Sequence, residues 1–527
     1  MRSKAVFLGG KLTGRCFESL FIAFLIAFVV LPVFALADIQ KASPDDPKKL
    51  VRQAERAIRR GKLDEAEQLL RTAVTANPKY SPAKLKLAFV YVKTRRLTEA
   101  YELAYAVAKD EPKNSYAFAV LGATMLSAGR FKEARIFFVS AIKIDRSESL
   151  AWAGLGMVDF YENDLSESLA NLQEAVYRDP LEPDYLYALA QVSSRAEKYA
   201  EAAQAYEDFL KIARNSDDER RDRIKGLIAF LRYLGGKTLL YDTAGAETTK
   251  VQFELEGNRP YIKMRINGRP EEFRFVLDTG SGISVISDET AQALKMKPVA
   301  KGGFAKGIGG DGKFQIVYGF AREMSIGDVI VRNVPVYIRK FHSPGVDGYI
   351  GLSLISKFLT TVDYGDLSFA LQRRNDTAAA AAELPGGVSL PLRLTSSGFL
   401  SGEVQVEGIE SPLNFIVDTG ASVSVISDDI AALEALAPHA RNEKMRVVGS
   451  AGVAEDVPSF LLPKISFGSH SSAGITAIAL DLDLINEASG FEQAGILGGN
   501  FLRNYRMTFD FKNSKVTFVS INEAMKK

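Results

Sequence analysis

Two short segments carry the residues best suited to chemistry. They are Phe275-Val276-Leu277-Asp278-Thr279-Gly280-Ser281 and Phe415-Ile416-Val417-Asp418-Thr419-Gly420-Ala421, 140 residues apart. Each follows an apolar run, and each continues alike, into Ile283-Ser284-Val285-Ile286-Ser287-Asp288 and Val423-Ser424-Val425-Ile426-Ser427-Asp428. A single Asp-Thr-Gly reads equally well as an Asx turn after a strand. Two copies in matched surroundings point instead to paired carboxylates, Asp278 and Asp418. Carboxyls held close cannot both ionise cheaply, because like charges raise one pKa strongly. The pair then shares one proton, and its titration belongs to both residues. One carboxylate can take a proton from a bridging water while the other donates to a carbonyl. Gly280 and Gly420 allow the chain to turn sharply after each carboxylate, with no Cβ in the way.

The rest of the composition narrows the chemistry further. Cys16 is the one cysteine and lies near the N-terminus, so neither a disulfide scaffold nor a cysteine nucleophile is expected. His342, His439 and His470 are scattered without ligand spacing and read as surface or loop residues, so no metal and no cofactor is expected. The 66 Lys plus Arg nearly balance the 64 Asp plus Glu, which gives no electrostatic footprint for nucleic acid. Arg2, Lys4, Lys11 and Arg15 precede an apolar run at 20–36 that ends in Ala35-Leu36-Ala37. This reads as a signal peptide over residues 1–37, with an uncleaved membrane anchor as the alternative. Either reading places the chain outside the cytoplasm, in a periplasm or beyond.

The elements that must position the two aspartates fall into two halves. Over residues 47–216, Ala66, Ala100, Ala134, Ser168 and Ala202 recur every 34 residues, each preceded by a glutamate. The small residues Ala54, Ala88, Gly122, Gly156 and Ala190 keep the same step, as do Pro78, Pro112 and Pro180. This pattern resembles tetratricopeptide repeats. It predicts five helix pairs at 47–80, 81–114, 115–148, 149–182 and 183–216. A capping helix and linker are expected over 217–250. Such a solenoid offers a concave face to a protein ligand, or serves as a spacer.

From residue 251 the pattern alternates as in strands. A first lobe is expected at 251–374, an alanine-rich connector at 375–387 and a second lobe at 388–520. Beyond the Asp-Thr-Gly, the lobes share two landmarks. One is a glycine-rich hairpin, with Gly307, Ile308, Gly309 and Gly310 in the first lobe and Gly449 and Gly452 in the second. The other is an apolar-apolar-Gly, Tyr349-Ile350-Gly351 and Ile496-Leu497-Gly498. In this order the landmarks resemble the retropepsin-type aspartic protease unit, and the tandem is similar to the two-lobed architecture of pepsin. The resemblance implies a multidomain chain, in which an all-α solenoid precedes two all-β lobes related by a pseudo-twofold axis.

The resemblance further implies an aspartic endopeptidase acting on a peptide or protein. Thr279 and Thr419 would bond across the lobe interface, and the Ser281 hydroxyl would bond the nearer carboxylate where Ala421 has none. Gly351 and Gly498 would pack under the dyad. The hairpins would be flaps, with 307–310 the stronger candidate and 449–452 the weaker. Asp288 and Asp428 read as helix N-caps or as turn residues after the strand, and Asp347, Asp363 and Asp510 as structural. The alternatives are a non-catalytic binding scaffold and lobes that pair between chains.

Overall fold

The computed structural model describes residues 46–213, 218–237, 239–310, 313–341, 345–374 and 387–521. The leader and anchor segment at 1–37, His342 and all of the connector 375–387 except Gly387 lie outside these residues. Among the described residues, no helix is long and apolar enough to cross a membrane.

The 34-residue period appears as five antiparallel helix pairs. The first helices are Pro47–Arg59, Ser81–Lys93, Ser115–Ser127, Ser149–Tyr161 and Pro183–Arg195. The second are Leu63–Ala76, Leu97–Asp110, Phe131–Ile144, Leu165–Arg178 and Tyr199–Ile212. The turn within each pair passes through a left-handed residue at the same slot. Gly61, Arg95, Gly129, Asn163 and Glu197 have φ of +73°, +58°, +72°, +64° and +60°. Glycine fills this αL position twice; Arg, Asn and Glu accept its strain elsewhere. Small residues let the paired helices close up: a Cβ at Gly122 would overlap the ring of Phe138, which is fully buried. A further helix, Asp218–Gly235, follows the fifth pair.

The β-rich half forms three sheets of nine, six and ten strands. Lobe one is built on Phe273–Leu277, which pairs in parallel with Gly348–Ile350; that strand pairs antiparallel with Val285–Ser287. Lobe two repeats the arrangement with Leu413–Val417, Gly495–Leu497 and Ser424–Ser427. The six-stranded sheet joins the lobes. Its order runs Thr248–Gln252, Ser368–Arg373, Phe358–Asp363, Tyr505–Asp510, Lys515–Ser520 and Gly387–Pro391, three strands from each lobe. The lobes therefore pair within this chain.

Two expectations need adjustment. The linker expected within 217–250 is shorter, because Asp242–Gly245 pairs with Val329–Arg339 and Thr248–Gln252 is an edge strand of the shared sheet. Both strands are short and polar, so they lack the alternation that marks a strand. His470 is not a surface residue. It is 6% exposed, donates from Nε2 to the Phe518 carbonyl at 3.1 Å, and packs among Phe467 and Tyr505.

The solenoid is packed against both lobes. Phe491 of lobe two is fully buried edge-on to Phe131 and Tyr161, with centroids 4.9 Å from each. Burying a side chain of this size contributes about 1.5–3 kcal/mol. Arg195 donates to the carbonyls of Phe160, Leu394, Thr395 and Ser396, and burial pushes its guanidinium down to about 9. It thus stays charged at neutral pH while bridging repeat and lobe. On the other side, helix Asp218–Gly235 lies on strand Ala300–Lys306. Gly226 there meets Gly302 backbone to backbone, with no room for a Cβ on either, and Phe230 stacks on Tyr318 at 4.5 Å.

Candidate active site

Each candidate aspartate stands one residue beyond a buried strand, and its amide is tied to the neighbouring strand of its own lobe. Asp278 N donates to Ile350 O and Asp418 N to Leu497 O, both at 3.0 Å. The next residues join the lobes. Thr279 Oγ1 donates to Val417 O at 2.7 Å and accepts from Thr419 N at 3.1 Å. Thr419 Oγ1 donates to Leu277 O at 2.7 Å and accepts from Thr279 N at 3.1 Å. All four bonds are buried, and each partner's distances equal the other's. Buried polar groups of this kind are costly to leave unpaired, so the arrangement holds the two turns in one relative position.

The glycines set how closely the turns approach. A Cβ on Gly420 would come within 2.7 Å of the Asp278 carboxyl carbon, and one on Gly280 would overlap the Asp418 carboxyl. Each glycine thus gives room to the opposite aspartate. The two carboxyls come within hydrogen-bonding reach of one another. They are enclosed by protein yet reachable from a cavity of about 1400 Å³.

Burial is the first cause that raises both carboxyls above the usual range, and for Asp278 the Asp418 charge raises it further. Asp418 is raised less, because the Asp278 carboxyl favours its charged form and its Oδ1 accepts from Gly420 N at 2.7 Å and from Ala421 N at 3.2 Å. Donors on the charged form favour it. The two carboxyls are therefore inequivalent members of one coupled pair, and the donors on Asp418 favour its charged form. This inequivalence does not come from Ser281, as the resemblance implied. The Ser281 hydroxyl donates to Ile283 O at 3.1 Å, within its own turn.

Gly351 and Gly498 lie beneath the turns rather than beneath the carboxyls. A Cβ on Gly351 would meet Ser281 O and Ile283 O, and one on Gly498 would meet Val423 O, all under 3 Å. Their amides donate to Ser284 Oγ and Ser424 Oγ, both at 3.1 Å. Ser287 and Ser427, not Asp288 and Asp428, are the N-caps of the short helices that follow. Asp347 accepts from Thr290 Oγ1 and Arg274 N, while Asp363 and Asp510 cap turns, all away from the cavity.

The two glycine-rich hairpins meet tip to tip. Ile308 N donates to Ser450 Oγ at 3.2 Å, Ala451 N to Ile308 O at 2.8 Å and Gly310 N to Val453 O at 3.3 Å. Gly309, with φ +87°, passes so close to Gly452 that no Cβ fits. Gly307, Ile308, Gly449 and Ser450 line the same cavity as the aspartates. The weaker candidate hairpin is thus as fully engaged as the stronger. Gly302 and Gly303 belong elsewhere, against Gly226 and Arg223 of helix Asp218–Gly235.

The cavity also reaches the solenoid, where Met157, Tyr187 and Gln191 line it. One functional candidate escaped sequence reasoning. Arg339, at the end of strand Val329–Arg339, lines the cavity within electrostatic reach of Asp278. Its Nη1 donates to Ser450 O at 2.6 Å. Among the described residues, no group of His, Cys, Asp or Glu is placed to hold a metal ion.

Comparison with known proteins agrees with this division. The aspartyl protease family matches residues 262–354 and 402–501. Tetratricopeptide repeat families match residues 57–123 and 154–218. No curated protein matches the chain. Among solved structures, the chain is similar to a thermophilic TPR protein of Thermus thermophilus. That match has 18% identity, covers 36% of this chain and 98% of the other, and has a TM-score of 0.30. It is also similar to PilF of Pseudomonas aeruginosa, with 17% identity, 36% and 86% coverage and a TM-score of 0.27. Helical tetratricopeptide repeats are thus followed by two aspartyl protease units in tandem.

Proposed function

We propose that this chain, in which tetratricopeptide repeats precede two aspartyl protease units, is an exported aspartic endopeptidase. The observation that carries the reading is the reciprocal pair of threonine bonds, which holds two unequal carboxyls side by side at the floor of a large cavity. Asp418, the ionised partner, takes a proton from a water between the carboxyls. Asp278 donates its proton to the scissile carbonyl oxygen as the water oxygen bonds to carbon. The tetrahedral intermediate collapses when the amide nitrogen takes the proton from Asp418 and leaves as the amine, while one hydroxyl of the intermediate returns its proton to Asp278 and becomes the new carboxyl's carbonyl oxygen. The joined hairpins at Ile308 and Ser450 part to admit substrate and close to exclude bulk water.

The repeats bind the protein substrate or a partner that delivers it. Support comes from the shared cavity, where Tyr187 and Gln191 of the fifth repeat face the same space as the aspartates. Export rests on the leader at 1–37 alone. The test is hydrolysis of a peptide library by the wild type and by Asp278→Asn and Asp418→Asn. Cleavage by the wild type that both variants lose is the expected result. Full activity in either variant defeats the dyad, and loss of activity on adding a chelator defeats the metal-free route.

A further inference from the structure

The two walls of the cavity differ in charge. Lobe two presents Ile416, Val423, Val425, Met445, Ile478 and Leu480. Lobe one and the helix braced on it present Arg223, Arg259 and Arg339. Among the described residues, none of these three arginines has a carboxylate within ion-pair distance, and Asp278 is the one acid lining the lobe-one wall. The other acids facing the cavity are Asp184 on the solenoid and Asp418 and Glu487 on lobe two. Arg446 of lobe two, in contrast, is neutralised by Glu455 at 2.8 Å.

Arg339 is the arginine whose charge acts on Asp278. It occupies the strand position that Leu480 holds in lobe two: Arg339 pairs with Ser287, as Leu480 pairs with Ser427. Its guanidinium sits 4.7 Å from the Phe314 centroid, 5.2 Å from Phe341 and 5.8 Å from Tyr349. These rings and the Nη1 bond to Ser450 O fix its plane. Nε, removed from solvent, has no hydrogen-bond partner. A planar guanidinium held at the cavity wall offers charge-assisted bonds to a carboxylate.

We propose, building on the endopeptidase reading, that Arg339 is a specificity-determining residue that binds a substrate carboxylate next to the scissile bond. The favoured substrate is an acidic peptide lying with its carboxylate on the lobe-one wall and apolar side chains on lobe two. Arg223 and Arg259 extend the same preference to flanking positions. The carboxylate belongs either to a Glu or Asp side chain or to the peptide's own C-terminus.

Two measurements separate this inference from the reading beneath it. In the first, blocked peptides differing by Glu or Gln within three residues of an apolar pair are titrated into the Asp418→Asn variant. The Glu peptide is expected to bind at least about 10-fold more tightly, as a charge-assisted pair requires. That ratio should fall below about twofold when Arg339→Leu is added, and Arg339→Lys should keep part of it. A third peptide, neutral but with a free terminal carboxylate, tells the two sources apart; a gain with either supports the assignment. In the second, wild-type kcat/KM for the cleaved pairs should show the same preference.

Equal binding of the Glu and Gln peptides overturns the inference without any Arg339 variant, so a misfolded variant does not shield it. A preference that survives Arg339→Leu also overturns it. A shifted pH profile with an unchanged ratio means that Arg339 tunes the dyad alone, and overturns it as well. Absence of all cleavage defeats the endopeptidase reading, while the binding ratio still decides this one.

Discussion

Lobes one and two build the two aspartate turns with nearly the same sequence of parts, and the parts that face the cavity differ. Strand, Asp-Thr-Gly turn, hairpin and apolar-apolar-Gly recur in order. Their backbone bonds match closely, from the 3.0 Å amide bonds of Asp278 and Asp418 to the 2.7 Å threonine bonds. Around this frame the lobes differ. Asp418 accepts two amides of its own turn, Ser281 stands opposite Ala421, and Arg339 stands opposite Leu480. The symmetric parts hold two carboxyls together. The asymmetric parts make the two carboxyls unequal, which a symmetric pair could be only by accident of the moment.

The largest test of that division removes a carboxyl from either side. Asp278→Asn and Asp418→Asn should each lower peptide hydrolysis by about 10³-fold or more, because a unit that shares one proton loses its function with either member. The double variant should be scarcely worse than either single one. Next come the threonines. Thr279→Ala and Thr419→Ala each strand a buried amide and a buried carbonyl of the opposite lobe, costing about 2–4 kcal/mol. By symmetry the two losses should agree within about 1 kcal/mol in chemical denaturation, and Thr→Ser should restore most of each. A silent variant on one side would break the symmetry.

The aspartates should then differ in stability. The folded Asp278 carboxyl titrates above its unfolded value, so the folded state holds its proton more tightly. The resulting destabilisation is absent below the unfolded pKa near 4 and grows as pH rises past it. Asp278→Asn should therefore raise the melting temperature by several degrees at pH 7 and by much less at pH 3. Asp418→Asn should gain less, since its carboxyl is raised less. The smallest effect belongs to Ser281→Ala. Its hydroxyl bonds Ile283 O and no carboxyl, so kcat/KM should change less than about twofold. A tenfold loss would restore to Ser281 the role that its resemblance implied.

Local periodicity explains what was legible in the sequence. The helix pairs could be read because every unit repeats one packing solution, down to the left-handed residue at Gly61, Arg95, Gly129, Asn163 and Glu197. Both Asp-Thr-Gly turns and the order of the lobes' landmarks were equally local. The unread features depend on contacts made far along the chain. Arg339 stands in a strand whose neighbours give no hint of which face meets the cavity. His470 is buried by Tyr505 and Phe518 from strands that the sequence cannot align with it. The edge strand Thr248–Gln252 exists because Ser368–Arg373 offers it a ladder. The meeting of the hairpin tips needs both lobes in place before either glycine cluster has a neighbour.

Consider finally Phe491 and Gly226. The first fastens the middle of the solenoid to lobe two, and the second seats the helix after the solenoid on the base of the lobe-one hairpin. The superhelix is therefore a bow strung between the two sides of the cleft. A change in its curvature should therefore change the width of the cleft. Any occupant that prefers one curvature must share its binding free energy with the opening between the lobes, and a peptide wedged between the lobes must strain the bow in return.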